Sequence, residues 1–246
     1  MKIVIPMAGP DERFKQYGFP FPKPVVEIDG RPLVEHAFDC LRMTPKADFT
    51  FVIRKEDDQR FHLSDVLRLL DPDCAIIAAE GETAGAACTA MLAVEQIDND
   101  EELVITNGDQ ILDFDLDRVL ADFRQRGLDA GTVVFDSVHP RWSFVKTDAA
   151  GLVIEAAEKR PISRNATAGI YYFRKGSDFI SAAKAMIHKG ASVNGGFFVC
   201  PSFNELILQQ KKIGTYQIDR DDYVSLATPQ AVEEYEQVLL ARKRGR

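Results

Sequence analysis

Hydrophobic and polar positions along this chain follow two rhythms. Short apolar runs occur at Ile3–Ile5, Phe49–Ile53, Ala75–Ala78, Leu103–Thr106 and Thr132–Phe135. Between them, apolar residues return at helical spacing over residues 31–42, 57–70, 85–96 and 115–126. Buried strands separated by helices predict βαβ units and a mainly parallel sheet covered on both faces. From about residue 130 the rhythm changes. Ser143–Thr147, Val153–Glu158 and Ala168–Phe173 follow one another as short strands, which predicts antiparallel additions to the same sheet. Helical spacing resumes over 176–189, 202–211 and 229–242. No repeat, low-complexity stretch or composition shift marks a linker, so residues 1–246 read as one α/β domain in two lobes, 1–130 and 131–246.

In an open α/β sheet, ligands bind at the carboxyl ends of the strands. Those ends carry the unusual residues: "MAGPDER" after the first strand, "AEGETAGAA" after the third and "TNGDQ" after the fourth. In the first, Gly9 allows close backbone approach, and Arg13 and Lys23 bring two cations to a proline-rich loop, a pairing suited to phosphates. Read alone, Lys23 is equally a solvated turn residue. Pro10 removes an N–H, and Asp11 and Glu12 stand where an anion would land. In the second, Gly85-Ala86-Ala87 opens a helix with little side-chain bulk, either to face a ligand or to pack on the sheet. In the third, Asn107-Gly108 turns the carboxylate of Asp109 into the strand-end crevice. A lone carboxylate there suits Mg²⁺, which takes one or two protein carboxylates plus phosphate oxygens. Asp113 and Asp115 fit better as caps of the next helix. Further on, Glu158-Lys159 ends a strand, Gly169 interrupts the next one, and Asn194 sits in "SVNGGFF". Taken singly, the first is a common surface pair and the last a turn residue.

Composition narrows the partners. A formal charge of −8 argues against nucleic acid, whose phosphates require a basic face. The basic tail at 242–246 reads as a solvated helix end. No apolar run approaches the ~20 residues of a membrane span, and Met-Lys leads into a strand pattern rather than a signal peptide, so a cytoplasmic protein without membrane contact is expected. Cys40, Cys74, Cys88 and Cys200 are scattered, which predicts reduced, buried thiols rather than disulfides or zinc.

In order and spacing these motifs resemble the sugar-phosphate nucleotidylyltransferases, pyrophosphorylases that join a nucleoside triphosphate to a sugar 1-phosphate. The resemblance runs from Ala8-Gly9 and Arg13 through "PKP" (22–24), "GRPLVEHAFDCL" (30–41), "TAGAA" (83–87) and "NGDQ" (107–110). It continues through "EK" (158–159) and "ATAGIYYF" (166–173) to "SLATPQAVEEY" (225–235). The pattern is most similar to a branch found in bacterial surface-polysaccharide gene sets. It implies a three-layer αβα sandwich of the glycosyltransferase A type, Mg²⁺ as cofactor, and a nucleotide-binding lobe followed by a sugar-phosphate-binding lobe. Carried over residue by residue, Ala8, Gly9, Arg13 and Lys23 would hold the triphosphate, Gly85 and Ala86 would border the base, and Asp109 would bind the metal. Glu158, Lys159, Gly169 and Asn194 would face the sugar phosphate. Arg13, Lys23 and Asp109 would carry the chemistry.

The chain departs from the family pattern at Pro10-Asp11-Glu12, at Gly196 and at Ser225, where a second metal carboxylate is expected. Asp219, Asp221 and Asp222 are candidates to replace it. Two other readings stay open: a glycosyltransferase of the same fold using a nucleotide-sugar donor, and a non-catalytic nucleotide-binding regulator. Base, sugar and oligomeric state, including a homo-oligomer, are left undecided by the sequence.

Overall fold

The computed structural model describes residues 1–10, 12–42 and 47–244. The chain opens with β1 (Lys2–Pro6), α1 (Glu12–Tyr17), the short hairpin β2 (Glu27–Ile28) and β3 (Arg31–Pro32), and α2 (Leu33–Asp39). There follow β4 (Asp48–Arg54), α3 (Lys55–Phe61), α4 (Leu63–Leu70), β5 (Ala75–Ala79), α5 (Ala86–Met91) and α6 (Val94–Ile97). Next come β6 (Leu103–Thr106), β7 (Gln110–Leu112), α7 (Leu116–Gln125), β8 (Ala130–Asp136), β9 (Ser143–Thr147) and β10 (Val153–Glu158). The last elements are β11 (Asn165–Phe173), α8 (Gly176–His188), α9 (Phe203–Leu208), β12 (Ile213–Gln217), β13 (Tyr223–Ser225) and α10 (Pro229–Arg244).

Among the described residues, nine strands form one mixed, mainly parallel sheet. β5, β4, β1 and β6 run parallel, and β11 joins β6 antiparallel. β8 lies along the other edge of β11 and pairs in parallel with β12, while β9 and β10 continue from β11 at Ala166. The strands predicted at 143–147, 153–158 and 168–173 therefore do extend the first sheet. Alternation along each strand divides the core. Ile3, Ile5, Phe49, Phe51 and Ile53 face one way, onto α2, α4 and α7 through Phe38, Leu67 and Phe123. Val4 and Val52 face the other way, onto α5, α8 and α9 through Ala90, Phe179 and Phe203. This is the three-layer αβα sandwich. A third, smaller cluster joins α1, β2 and α10 through Phe14, Ile28 and Val232.

Three departures from the sequence pattern have local causes. The helix expected over 57–70 is two, because His62 adopts a left-handed conformation (φ 53°) that ends α3 and starts α4. The helix over 85–96 is also two, α5 and α6, separated at Leu92-Ala93. Pro32, extended at ψ 143°, delays α2 to Leu33. The four cysteines are free thiols, but only Cys200 is buried; the other three are half-buried. No described helix is long and apolar enough to cross a membrane.

Candidate active site

The loops leaving β1, β5 and β6 meet at the carboxyl edge of the sheet. Lys23 is held there by its neighbours: Pro22 is extended and Pro24 continues the 3-10 turn Lys23–Val25. Asp109 arrives from the opposite side, after the fully buried β6 and the turn Asn107-Gly108. Gly108 leaves room at this turn for Met7, whose sulfur would lie 2.6 Å from a Cβ there. Lys23 Nζ donates to Asp109 Oδ2 at 2.7 Å, and both side chains are largely shielded from solvent. The main-chain oxygen of Asp109 accepts from the N–H of Leu226 at 2.7 Å, which fastens the C-terminal segment to the loop.

Three adjoining cavities follow this edge. The first, about 170 Å³, is lined by Gly9, Lys23, Pro24, Asn107 and Asp109. The second, about 270 Å³, shares Asp109 and Asn107 with it and adds Ala86, Arg141, Trp142, Ser143, Glu158, Gly169 and Ser225. The third, about 560 Å³, shares Glu158 with the second and adds Lys159, Arg160, Asn194 and Glu205. Asp109 and Glu158 thus stand at the two boundaries of the central cavity.

Gly169 explains the bend in this wall. It has φ +66° and sits where the β11–β8 register shifts between Thr167 and Tyr171. A Cβ there would lie 2.2 Å from Asn107 Nδ2, so the missing side chain is what admits Asn107. Asn107 Nδ2 in turn donates to Gln110 Oε1 at 3.2 Å, and Gln110 Nε2 to Thr106 Oγ1 at 2.9 Å. On the far side, Lys159 has left-handed backbone (φ 53°), and its ammonium lies 5.0 Å from the ring centre of Phe198. Asn194 is likewise left-handed (φ 51°), in a turn closed by hydrogen bonds between Val193 and Gly196.

Glu158 is half-buried in this wall and accepts a hydrogen bond from the Ser143 hydroxyl. Burial pushes its carboxyl above the usual range, while the Ser143 hydrogen bond and the Lys159 charge pull the other way. A carboxyl raised in the folded state contributes stability that is present at low pH and lost as pH rises through its folded titration range. Glu158→Gln should therefore flatten the pH dependence. In urea melts from pH 4 to 8, the stability of wild type minus variant should fall with rising pH; a constant difference would contradict the burial effect. Tyr223, buried beside the central cavity, has its phenol pushed up by burial and then by the Asp109 charge.

Of the residues singled out in the sequence, Gly9, Lys23, Ala86, Asp109, Glu158, Lys159, Gly169 and Asn194 line these three cavities. Gly85 caps the α5 helix beside Ala86. Ala8 is buried behind Gly9 and lines none of them. Arg13 is exposed on α1 and also lines none. Glu12 is the exposed first residue of that helix, where its charge suits the dipole; Asp11 lies outside the described residues.

Sequence reasoning missed Arg141, Trp142, Ser143 and Asn107. Asn107 lay within a quoted motif. The other three follow β8 in "HPRWSF", whose aromatic-basic pair was the available signal. Ser225 was known only as an absence; it pairs opposite Gln110 in the β13–β7 ladder and lines the central cavity. Asp219 and Asp222 close a capping box on each other's backbone, and Asp221 lines a fourth cavity, with Arg220 and Arg242, that shares Arg141, Tyr223 and Ser225 with the central one.

Among the described residues, no three His, Cys, Asp or Glu side chains converge on a metal position. The single carboxylate of Asp109, in a cavity that Ser225 also lines, fits Mg²⁺ arriving with phosphate oxygens, because that ion keeps most of its shell in phosphate and water.

Residues 4–194 match the family described as nucleotidyl transferase. Over 182 residues the chain is 29% identical to the catalytic subunit beta of mannose-1-phosphate guanylyltransferase from Danio rerio, covering 70% of this chain and 49% of that protein. The chain spans about half the length of that curated relative. Its fold is similar to a nucleoside-diphosphate-sugar pyrophosphorylase from Vibrio cholerae, with a TM-score of 0.83, 26% identity, and coverage of 96% of this chain and 99% of that one. A Bacillus anthracis protein assigned as a glucose-1-phosphate thymidylyltransferase, solved with a sucrose, gives a TM-score of 0.73 at 18% identity, over 96% and 94% of the two chains. At that identity the likeness is one of fold.

Proposed function

The chain belongs to the nucleotidyl transferase family, and from that premise we propose that it joins a nucleoside triphosphate to a sugar 1-phosphate with release of pyrophosphate. The observation that carries this reading is the continuous crevice running from the Lys23–Asp109 pair to Glu158, Lys159 and Asn194. One end offers a cation and a metal-binding carboxylate, as a triphosphate needs. The other offers the carboxylate and amide that sugar hydroxyls favour. The two lobes, 1–130 and 131–246, then divide the work between nucleotide and sugar phosphate.

The reaction asks little covalent chemistry of the protein. A phosphate oxygen of the sugar phosphate is already anionic, so no general base is needed. It attacks the α-phosphorus in line, a new P–O bond forms, and the bond to the β-phosphate oxygen breaks. Lys23 neutralises charge on the triphosphate, and Gly9 lets the backbone come close. Glu158 and Asn194 orient the acceptor, and Lys159 adds positive charge at its edge. Mg²⁺, held by Asp109, would supply further charge neutralisation on the phosphates. A glycosyltransferase would normally place a second aspartate two positions after Asp109. Here that position is Ile111, packed against the third hydrophobic cluster. The reading puts the reaction in the cytoplasm, where nucleoside triphosphates are held, and assigns the product to surface-polysaccharide synthesis.

Each nucleoside triphosphate, paired with each of a panel of sugar 1-phosphates in the presence of Mg²⁺, tests the proposal by pyrophosphate release. Release should require both substrates of one pair. Absence of release for every pair, in protein that is folded by circular dichroism, would overturn it.

A further inference from the structure

The charges lining the central cavity pose a problem for any phosphate that enters it. Asp109 and Glu158, both acidic, stand at its two boundaries, and Lys23 and Lys159 line the flanking cavities instead. Among the described residues, the single cation lining the central cavity is Arg141, which stands where that cavity meets the fourth one, lined by Asp221 and Glu234. We propose that Arg141 binds the phosphate of the acceptor substrate, a phosphomonoester, in the central cavity; this rests on the reading given above.

The surroundings of Arg141 support the assignment. Its guanidinium carbon lies 4.1 Å from the centre of the Trp142 ring, close enough to hold the plane of the group by stacking. Trp142 is itself a fixed platform. Its ring packs edge-on against Phe135 at 5.3 Å and near Tyr223 at 5.7 Å, and its carbonyl accepts from the N–H of Lys159 at 3.0 Å. That last bond ties the Arg141 platform to the segment carrying Glu158 and Lys159. Arg141 is exposed and makes no ion pair with a described carboxylate, unlike Arg54, Arg124, Arg126 and Arg164, each of which does. Its neighbour Arg220 is committed: it donates to the carbonyl of Tyr223 at 2.5 Å and lies over Phe135, Trp142 and Tyr223. A stacked guanidinium keeps its N–H fork pointed outward, the geometry that grips a phosphate by two hydrogen bonds.

Trp142 is the only tryptophan of the chain and touches the proposed ligand site, so its fluorescence reports binding without any turnover. Inorganic phosphate and glucose 1-phosphate should each change it saturably in wild type. Calorimetric titration of the same two probes compares the variants, whose altered stacking would change the optical signal by itself. Arg141→Gln should weaken both about 10- to 100-fold, the scale of one lost charge-assisted contact. Arg141→Lys should recover part of that, having the charge but not the fork. In turnover assays with an active substrate pair, Arg141→Gln should raise KM for the sugar phosphate and leave KM for the nucleotide within about twofold. Equal affinity of wild type and Arg141→Gln for both probes would overturn the proposal, as would a wild type that binds neither. If pyrophosphate is released but the sugar-phosphate KM of Arg141→Gln is unchanged, Arg141 fails and the enzymatic reading stands. If no pair releases pyrophosphate while the variant still loses phosphate affinity, the binding site stands and the reading of the reaction fails.

Discussion

Asp109→Asn is expected to reduce pyrophosphate release by at least about 10²-fold while leaving the fold intact. The substitution preserves shape, and the hydrogen bond from Leu226 reaches the backbone oxygen, which is unchanged. What it removes is the charge that faces Lys23 and that would hold Mg²⁺ on the phosphates, both of which act where charge develops in the transition state. Lys23→Ala should cost about 10²–10⁴ in kcat/KM for the same reason. Because the two side chains form one unit, the double variant should be little worse than the weaker single one. Losses that multiply instead would mean that Lys23 and Asp109 serve separate functions. Undiminished release from Asp109→Asn would remove that residue from the metal site.

Gly85→Ala should cost about 2–5 kcal/mol of stability, from two sources that add. Gly85 has φ 104° and ψ 172°, a region essentially reserved for glycine, and an L-residue there costs about 1–3 kcal/mol. A Cβ would also lie 2.5 Å from the oxygen and 2.7 Å from the nitrogen of Phe197, both backbone atoms without a rotamer to give way. Those same atoms bond to Ala87 N at 3.0 Å and to Ala84 O at 2.7 Å. Each such bond is worth about 0.5–1.5 kcal/mol net. Gly81 supplies the control: its φ is +83°, but nothing lies within 4 Å of the Cβ it would gain. Gly81→Ala should therefore cost only the strain of the conformation. Urea unfolding of both variants separates the terms; equal losses would mean that the approach to Phe197 contributes nothing. Since Phe197 follows the turn carrying Asn194, the Gly85 variant should also disturb the sugar-facing end of the crevice.

The periodicity of the sequence determined the layers. Apolar β-branched runs can be buried on both faces only if helices cover both, so the sandwich and the carboxyl-edge crevice follow from local pattern. Asp109 was legible for the same reason, as an aspartate after a buried strand; Lys23, read alone equally a solvated turn residue, was singled out by the resemblance of its proline-bracketed motif. Where the local signal was weak, the structure decided. The apolar spacing of 57–70 runs unbroken through His62, but the backbone there turns left-handed and makes two helices. Asp11 and Glu12 of "PDERF" stand in the sequence where an anion would land; Glu12 is the exposed first residue of α1, a helix buried through Phe14 against a cluster completed more than two hundred residues later by Val232. No local window contains that contact. Arg141 was invisible as a site residue, and Ser225 was noticed only for the carboxylate it lacks, because their place depends on long-range pairing. β9 must add to β11, and β13 must pair with β7, before either side chain reaches Asp109's cavity. Residue type and spacing specify which face of an element is buried; which loops meet at the edge of a sheet is set by strand order, and that is a property of the whole chain.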